Sequence, residues 1–258
     1  MSAVRGEALR QDEHAYLLVD GARIGKCSDV IRQRDPGDWA CLFGAAPGSP
    51  LFEVSPALIR FDEHDRRAWR LLLDTKYRQC AQLLLSPLPL DALARQLANH
   101  LYVEEADGTR WVLAFWDPFV MASLIGMQPP ANELVPGPVL EKSQIAGLLT
   151  EVAGIILQNR DGQAQYIEIP PLPDATTAPF TLSQTQMDML MDIDLPDRVA
   201  EILRNAEPNH PMRDGDLHRL CCRAIQQARA SNQQGLDDYC DGAFDMLNAL
   251  DNEKVVQE

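Results

Sequence analysis

The chain has 258 residues and a formal net charge of −15, with 46% hydrophobic and 24% charged residues. This length suits one large domain or two small ones, with enough apolar material for a substantial core. The acidic balance argues against nonspecific binding to nucleic acid or anionic lipid, both of which favour basic surfaces.

Met1 to Asp12 is polar, without a basic start and apolar stretch, so no signal peptide is expected. Tyr16 to Val19 reads as a short buried strand that Asp20-Gly21 ends. Cys27 to Arg34 reads as a short helix capped by Ser28, and Asp35-Pro36-Gly37-Asp38 turns the chain. Trp39 to Phe43 is a second strand, and the small residues and breakers of Gly44 to Pro50 form a loop. Ala57 to Phe61 is a third apolar run, after which Trp69, Leu72 and Leu73 have helical spacing. Cys80 to Leu85 is a further strand, closed by Ser86-Pro87. Asp91 begins a helix carrying Leu93, Leu97, His100 and Leu101. Tyr102-Val103 and Trp111 to Phe115 flank Asp107-Gly108, a strong hairpin signal.

Residues 128–138 contain four prolines and are expected to be a surface loop. Val152 to Leu157 and Tyr166 to Ile169 straddle Arg160-Asp161-Gly162, a second hairpin. Pro170 to Pro179 is the best linker in the chain. Beyond it, Thr181 to Gln184 has capping-box spacing, Met187, Leu190 and Met191 form an apolar stripe, and Pro196 starts a new helix. Two more helices follow, over Asp216 to Ala228 and Leu236 to Leu250. From Phe180 onward there are 15 acidic and 7 basic residues, so this helical part is itself acidic. The fold class is therefore α+β: a mixed αβ N-terminal lobe with short strands and hairpins (13–169), a Pro-rich linker (170–179) and a small all-helical C-terminal lobe (180–252).

Chemistry-bearing patterns are sparse. Six cysteines are scattered without a CxxC pair, which suggests reduced thiols in the cytoplasm. No run approaches the roughly 18 apolar residues of a membrane span. Asp-Glu-His triplets end at His14 and His64, but adjacent side chains diverge and converge poorly on one metal ion. Gly44 to Gly48 lacks the Lys-Ser/Thr of a phosphate loop. No cofactor and no metal site is expected. Asp20 and Asp117 follow strands, where an α/β enzyme places catalytic acids. With no base or nucleophile beside them, Asp20-Gly21 and Asp117-Pro118 read better as turns whose carboxylates accept backbone amides. Trp116 and Phe119 are candidate partner anchors. So are Met187, Met189 and Met191, because methionines adapt to varied surfaces.

In order, Tyr16 to Ala22, Leu42-Phe43, Val54 to Ile59, the Leu90 to Leu101 helix and Phe115-Trp116-Asp117-Pro118 form a distinctive combination. Together with the capped helix at Phe180 to Leu190 and the Cys222 to Ala230 helix, it resembles the effector adaptors of bacterial type VI secretion. These are the Tap or TEC adaptor/chaperone family, formerly a domain of unknown function. Two positions depart from the family pattern: Ala114 and Phe119 stand where relatives often carry Arg. The resemblance implies a non-enzymatic cytoplasmic protein that binds the N-terminal segment or domain of an effector toxin and helps load it onto the VgrG spike. Such a task needs exposed anchors rimmed by polar groups, and two lobes able to open. The rival readings are an immunity protein that neutralises a toxin, and an enzyme using Asp20 or Asp117 in a cleft between lobes.

Overall fold

The computed structural model describes residues 14–255, except 33, 129–130, 172–174 and 177–178. Its centre is a six-stranded sheet in the order β2-β3-β1-β4-β7-β8. The strands are β1 (His14–Asp20), β2 (Trp39–Cys41), β3 (Pro56–Arg60), β4 (Ala81–Ser86), β7 (Gly154–Gln158) and β8 (Ala164–Glu168). Every pairing in it is antiparallel. A smaller sheet joins β5 (Tyr102–Glu104), β6 (Arg110–Val112) and β9 (Phe180–Thr181), the last running parallel to β5.

Antiparallel sheets often wet one face, but here both faces are covered. Tyr16, Leu18, Leu58, Leu84 and Ile155 point to one side, and Leu17, Val19, Ile59, Leu83 and Ile156 to the other. That is why β1 reads as an unbroken apolar run rather than an alternating one. The second face is roofed by α1 (Cys27–Ile31), α2 (Pro50–Val54) and α3 (Arg66–Leu73), through Val30, Phe52 and Leu71. The first is roofed by α4 (Leu90–Ala98), α5 (Pro118–Ile125) and α6 (Lys142–Leu148), through Leu93, Leu97, Met121 and Leu148. Three long helices complete the chain: α7 (Gln184–Ala206), α8 (Asp214–Ala230) and α9 (Leu236–Val255). The class is α+β.

Several local expectations change. Ser28 does not cap α1. Lys26 holds that position without a side-chain bond, and the Ser28 hydroxyl donates to Glu53 at 2.7 Å. The capping box of α7 lies two residues later than its sequence spacing suggests, at Ser183 and Gln186, because Thr181 is taken up pairing with Glu104. Pro196 starts no helix; it lies inside α7. The missing N–H and the bulk of the ring at Pro196 deprive the Asp192 carbonyl of its helical partner. The Asn132 side-chain amide takes over, donating to the carbonyls of Asp192 and Ile193, each at 2.9 Å. The 128–138 segment is accordingly no mere surface loop, since Asn132 and Val135 are buried; residues 129–130 lie outside the described ones.

The Pro-rich 170–179 stretch lies partly outside the described residues. Apolar packing continues across it. Phe180, Leu182, Met187 and Ile193 belong to the same core as Tyr16, Leu97 and Phe115. A separate core begins only at Val199 and joins α7 to α8 and α9 through Leu203, Leu220, Ile225, Ala243 and Leu247.

Candidate functional site

The end of β1, the start of α5 and the flanks of α7 and α8 meet around a cleft of about 440 Å³. Two local features aim its first wall. Gly21 lets the turn after β1 lie against β3, since a Cβ there would run into the Ser55 carbonyl oxygen. Asp117 caps α5 with Pro118 in the first turn, and Gly126 ends that helix at φ 69°, a left-handed conformation suited to glycine.

Asp20 accepts from the amides of Ala22 at 2.9 Å and Arg23 at 3.2 Å. Asp117 accepts from Phe119 at 2.8 Å and Val120 at 3.4 Å. Arg23 links the two, with Nε 3.7 Å from Asp20 Oδ2 and Nη2 3.3 Å from Asp117 Oδ2. Burial pushes the Asp117 carboxyl up to about 6, against the pull of Arg23 and the two amides. Burial also raises Asp20. The ionic partner common to both is Arg23. The arrangement is a double turn lock rather than an acid–base pair.

The opposite wall is made by Asp194, Asp197, Arg198, Glu201 and Arg204 of α7 and by Asp214 of α8. Arg160, from the β7–β8 turn, crosses between the walls. Its Nη2 meets Asp197 Oδ2 at 2.6 Å, its Nη1 donates to the Ala131 carbonyl, and its guanidinium carbon lies 3.9 Å from the Phe119 ring centre. His218 of α8 adds Nδ1 at 2.8 Å from the other Asp197 oxygen. Burial disfavours the Asp197 charge, but hydrogen bonds from His218 and Arg160 outweigh it and hold the carboxyl far below its ordinary range. Arg78 and Arg204 both pair with Asp214 at the cleft's other end.

Residues 15–132 match the family model described as a domain of unknown function, DUF4123. No curated protein and no solved structure matches the chain. The DUF4123 segment supplies Arg23, Arg78, Gln79, Asp117 and Phe119 to the cleft and ends at Asn132, the residue that satisfies α7. The α7 and α8 wall lies beyond it. Ala114 and Phe119, the two departures from the adaptor pattern, sit just before and just after the Asp117 cap. Phe119 offers its face to Arg160 of the β7–β8 turn.

The candidate anchors separate sharply. Trp116, Phe119 and Met187 are buried at 7%, 3% and 6% exposure. They therefore offer little free surface in this conformation, Phe119 only as part of the cleft wall, and the expectation of exposed anchors there is corrected. Trp116 packs edge-on against Phe43 and Phe115, since the chain turns inward at Asp117 to start α5. Met189 is half-buried against the sheet core, whereas Met191 is 60% exposed. Sequence reasoning passed over Arg160, Asp197 and His218 as site residues. Asp197 stands 37 positions from Arg160 and 21 from His218, so no local spacing signals their meeting.

Among the described residues no group of three or more His, Cys, Asp or Glu is placed to hold a metal ion. The described cysteines are all free thiols, and burial pushes Cys222, one turn after His218, up to about 11. No helix among the described residues is long and apolar enough to cross a membrane.

Proposed function

We propose that this protein is a non-enzymatic adaptor that holds a type VI secretion effector in the cytoplasm and presents it to the VgrG spike. The observation that carries this reading is the match of residues 15–132 to DUF4123, a family associated with such adaptors. The character of the cleft supports it. Asp117 accepts turn amides while Asp197 and Asp214 pair with arginines, an arrangement that shapes a surface rather than activating a nucleophile. Beside the cleft, α7 presents Met191, Arg198 and Ile202 along one stripe, because positions 191, 198 and 202 fall on one face of a helix. An apolar pair around a cation suits an acidic-rimmed, partly apolar cargo segment. The exposed β6 edge, with Trp111 and Val112, is a second apolar surface.

Co-expression with any toxin encoded beside this protein tests the reading. The toxin's N-terminal region is expected to co-purify with it, and Met191→Asp with Ile202→Asp to weaken capture at least about tenfold without unfolding the chain. A protein that stays alone with every neighbouring toxin and spike protein would sink the proposal. Capture of the toxin's catalytic domain alone would favour an immunity protein instead.

A further inference from the structure

Behind the Arg160–Asp197 pair lies a second cavity, of about 220 Å³. Its walls are apolar at Phe119, Met127 and Ala131 and polar at Glu133, Gln165 and His218. Two of its polar atoms have no hydrogen-bond partner among the described residues: His218 Nε2 and Gln165 Oε1. The His218 side chain is only 4% exposed, so its ring depends on what the cavity offers.

The protonation of that ring follows from its other side. Nδ1 faces the ionised Asp197 carboxylate at 2.8 Å, which places the ring proton on Nδ1. Burial also disfavours the doubly protonated ring, and it outweighs the help of Asp197. Nε2 therefore presents a lone pair to the cavity, as Gln165 Oε1 does. Both atoms call for a hydrogen-bond donor. The surrounding charge selects the kind of donor. Glu133 and Asp161 line the cavity with Arg160 and Arg219, and Asp197 and Asp216 pair with those two guanidiniums. Both guanidiniums are committed, Arg160 to Asp197 and Ala131, and Arg219 to Asp161 and Asp216. Carboxylates thus outnumber cations, and the apolar walls suit methylenes below a charged head.

The geometry points to an anchor site for a primary ammonium on an aliphatic stem, filled in the working adaptor by a lysine side chain of its cargo. The identity of that lysine rests on the adaptor reading, whereas the chemistry of the cavity does not.

The test uses n-butylammonium as the lysine head group and the full-length protein labelled with ¹⁵N. His218 Nε2 is expected to shift saturably on titration, and n-butyrate, with the same stem and opposite charge, to leave it in place. Ala131→Leu, which fills the cavity from its apolar wall, is expected to weaken butylammonium binding at least about tenfold. The variant should keep the resonance pattern of a ring protonated on Nδ1, showing that the Asp197 contact survives. An unmoved Nε2 resonance, an equal response to butyrate, or undiminished binding by Ala131→Leu would each overturn the site while leaving the adaptor reading to its co-purification test. Butylammonium binding in a protein that captures no toxin would keep the cavity and remove the cargo lysine.

Discussion

Asp117 shows how one side chain serves two demands that pull in opposite directions. Capping α5 favours a charged oxygen at the helix start, where backbone amides gather. Burial opposes that charge and dominates, so the carboxyl holds its proton up to about pH 6. An unfolded aspartate releases its proton near its ordinary value of 3.8. Folding therefore takes up a proton between these values, and the contribution of Asp117 to stability falls as pH rises through the window. Asp117→Asn keeps an acceptor for the cap and removes the titration. Relative to the parent, its stability is expected to rise by up to about 3 kcal/mol between pH 4 and pH 7, read by urea unfolding at both values. A constant offset at the two pH values would contradict this account. Both turns were visible locally, since Asp20-Gly21 and Asp117-Pro118 are short-range signals. The shared Arg23 was not, because the distance from Arg23 to Asp117 depends on how the whole sheet is roofed.

At the scale of elements, strands were easier to read than helix ends. Tyr16 to Val19 and Ala57 to Ile59 are apolar runs bounded by breakers, and the sheet uses them as such. The Asp-Pro start and Gly end of α5 are also local signals, yet they are easily taken for a simple turn when the run between them is apolar all round. Pro196 misleads for a different reason. A proline inside a helix costs a hydrogen bond unless another group replaces it. The replacement is Asn132, 60 positions from Asp192 in sequence. Asn132→Ala is expected to cost about 2 kcal/mol by leaving buried carbonyls without a donor. Adding Pro196→Ala returns the N–H that Asp192 lacks and should recover much of the loss in thermal or urea unfolding. If Pro196→Ala changes stability equally with and without Asn132, the coupling does not exist.

For the molecule as a whole, the decisive feature is a core that crosses the Pro-rich stretch. Phe180 and Leu182 are buried among residues of the sheet lobe, and β9 is hydrogen-bonded to β5. A chain ended at residue 179 would lose β9 and α7 and expose the apolar surface they cover. It is expected to aggregate or to bind a hydrophobic dye strongly, and a soluble, cooperatively folded 1–179 fragment would contradict the continuous core. Ion pairs add a second tie between the parts, Arg78–Asp214 and Arg160–Asp197, whose geometry depends on both walls being in place.

From the sequence alone came the α+β class, the strand runs, both hairpin turns and the helical character of the C-terminal third. These rest on periodicity and turn chemistry acting over a few residues. Only the tertiary structure decided that Trp116, Phe119 and Met187 are core while Met191 is surface, that α7 runs through its proline, and that Arg160, Asp197 and His218 converge. Each of these depends on a contact between residues far apart in the chain. Hydrophobic patterning says that a side chain is to be buried, but not which distant neighbour will bury it.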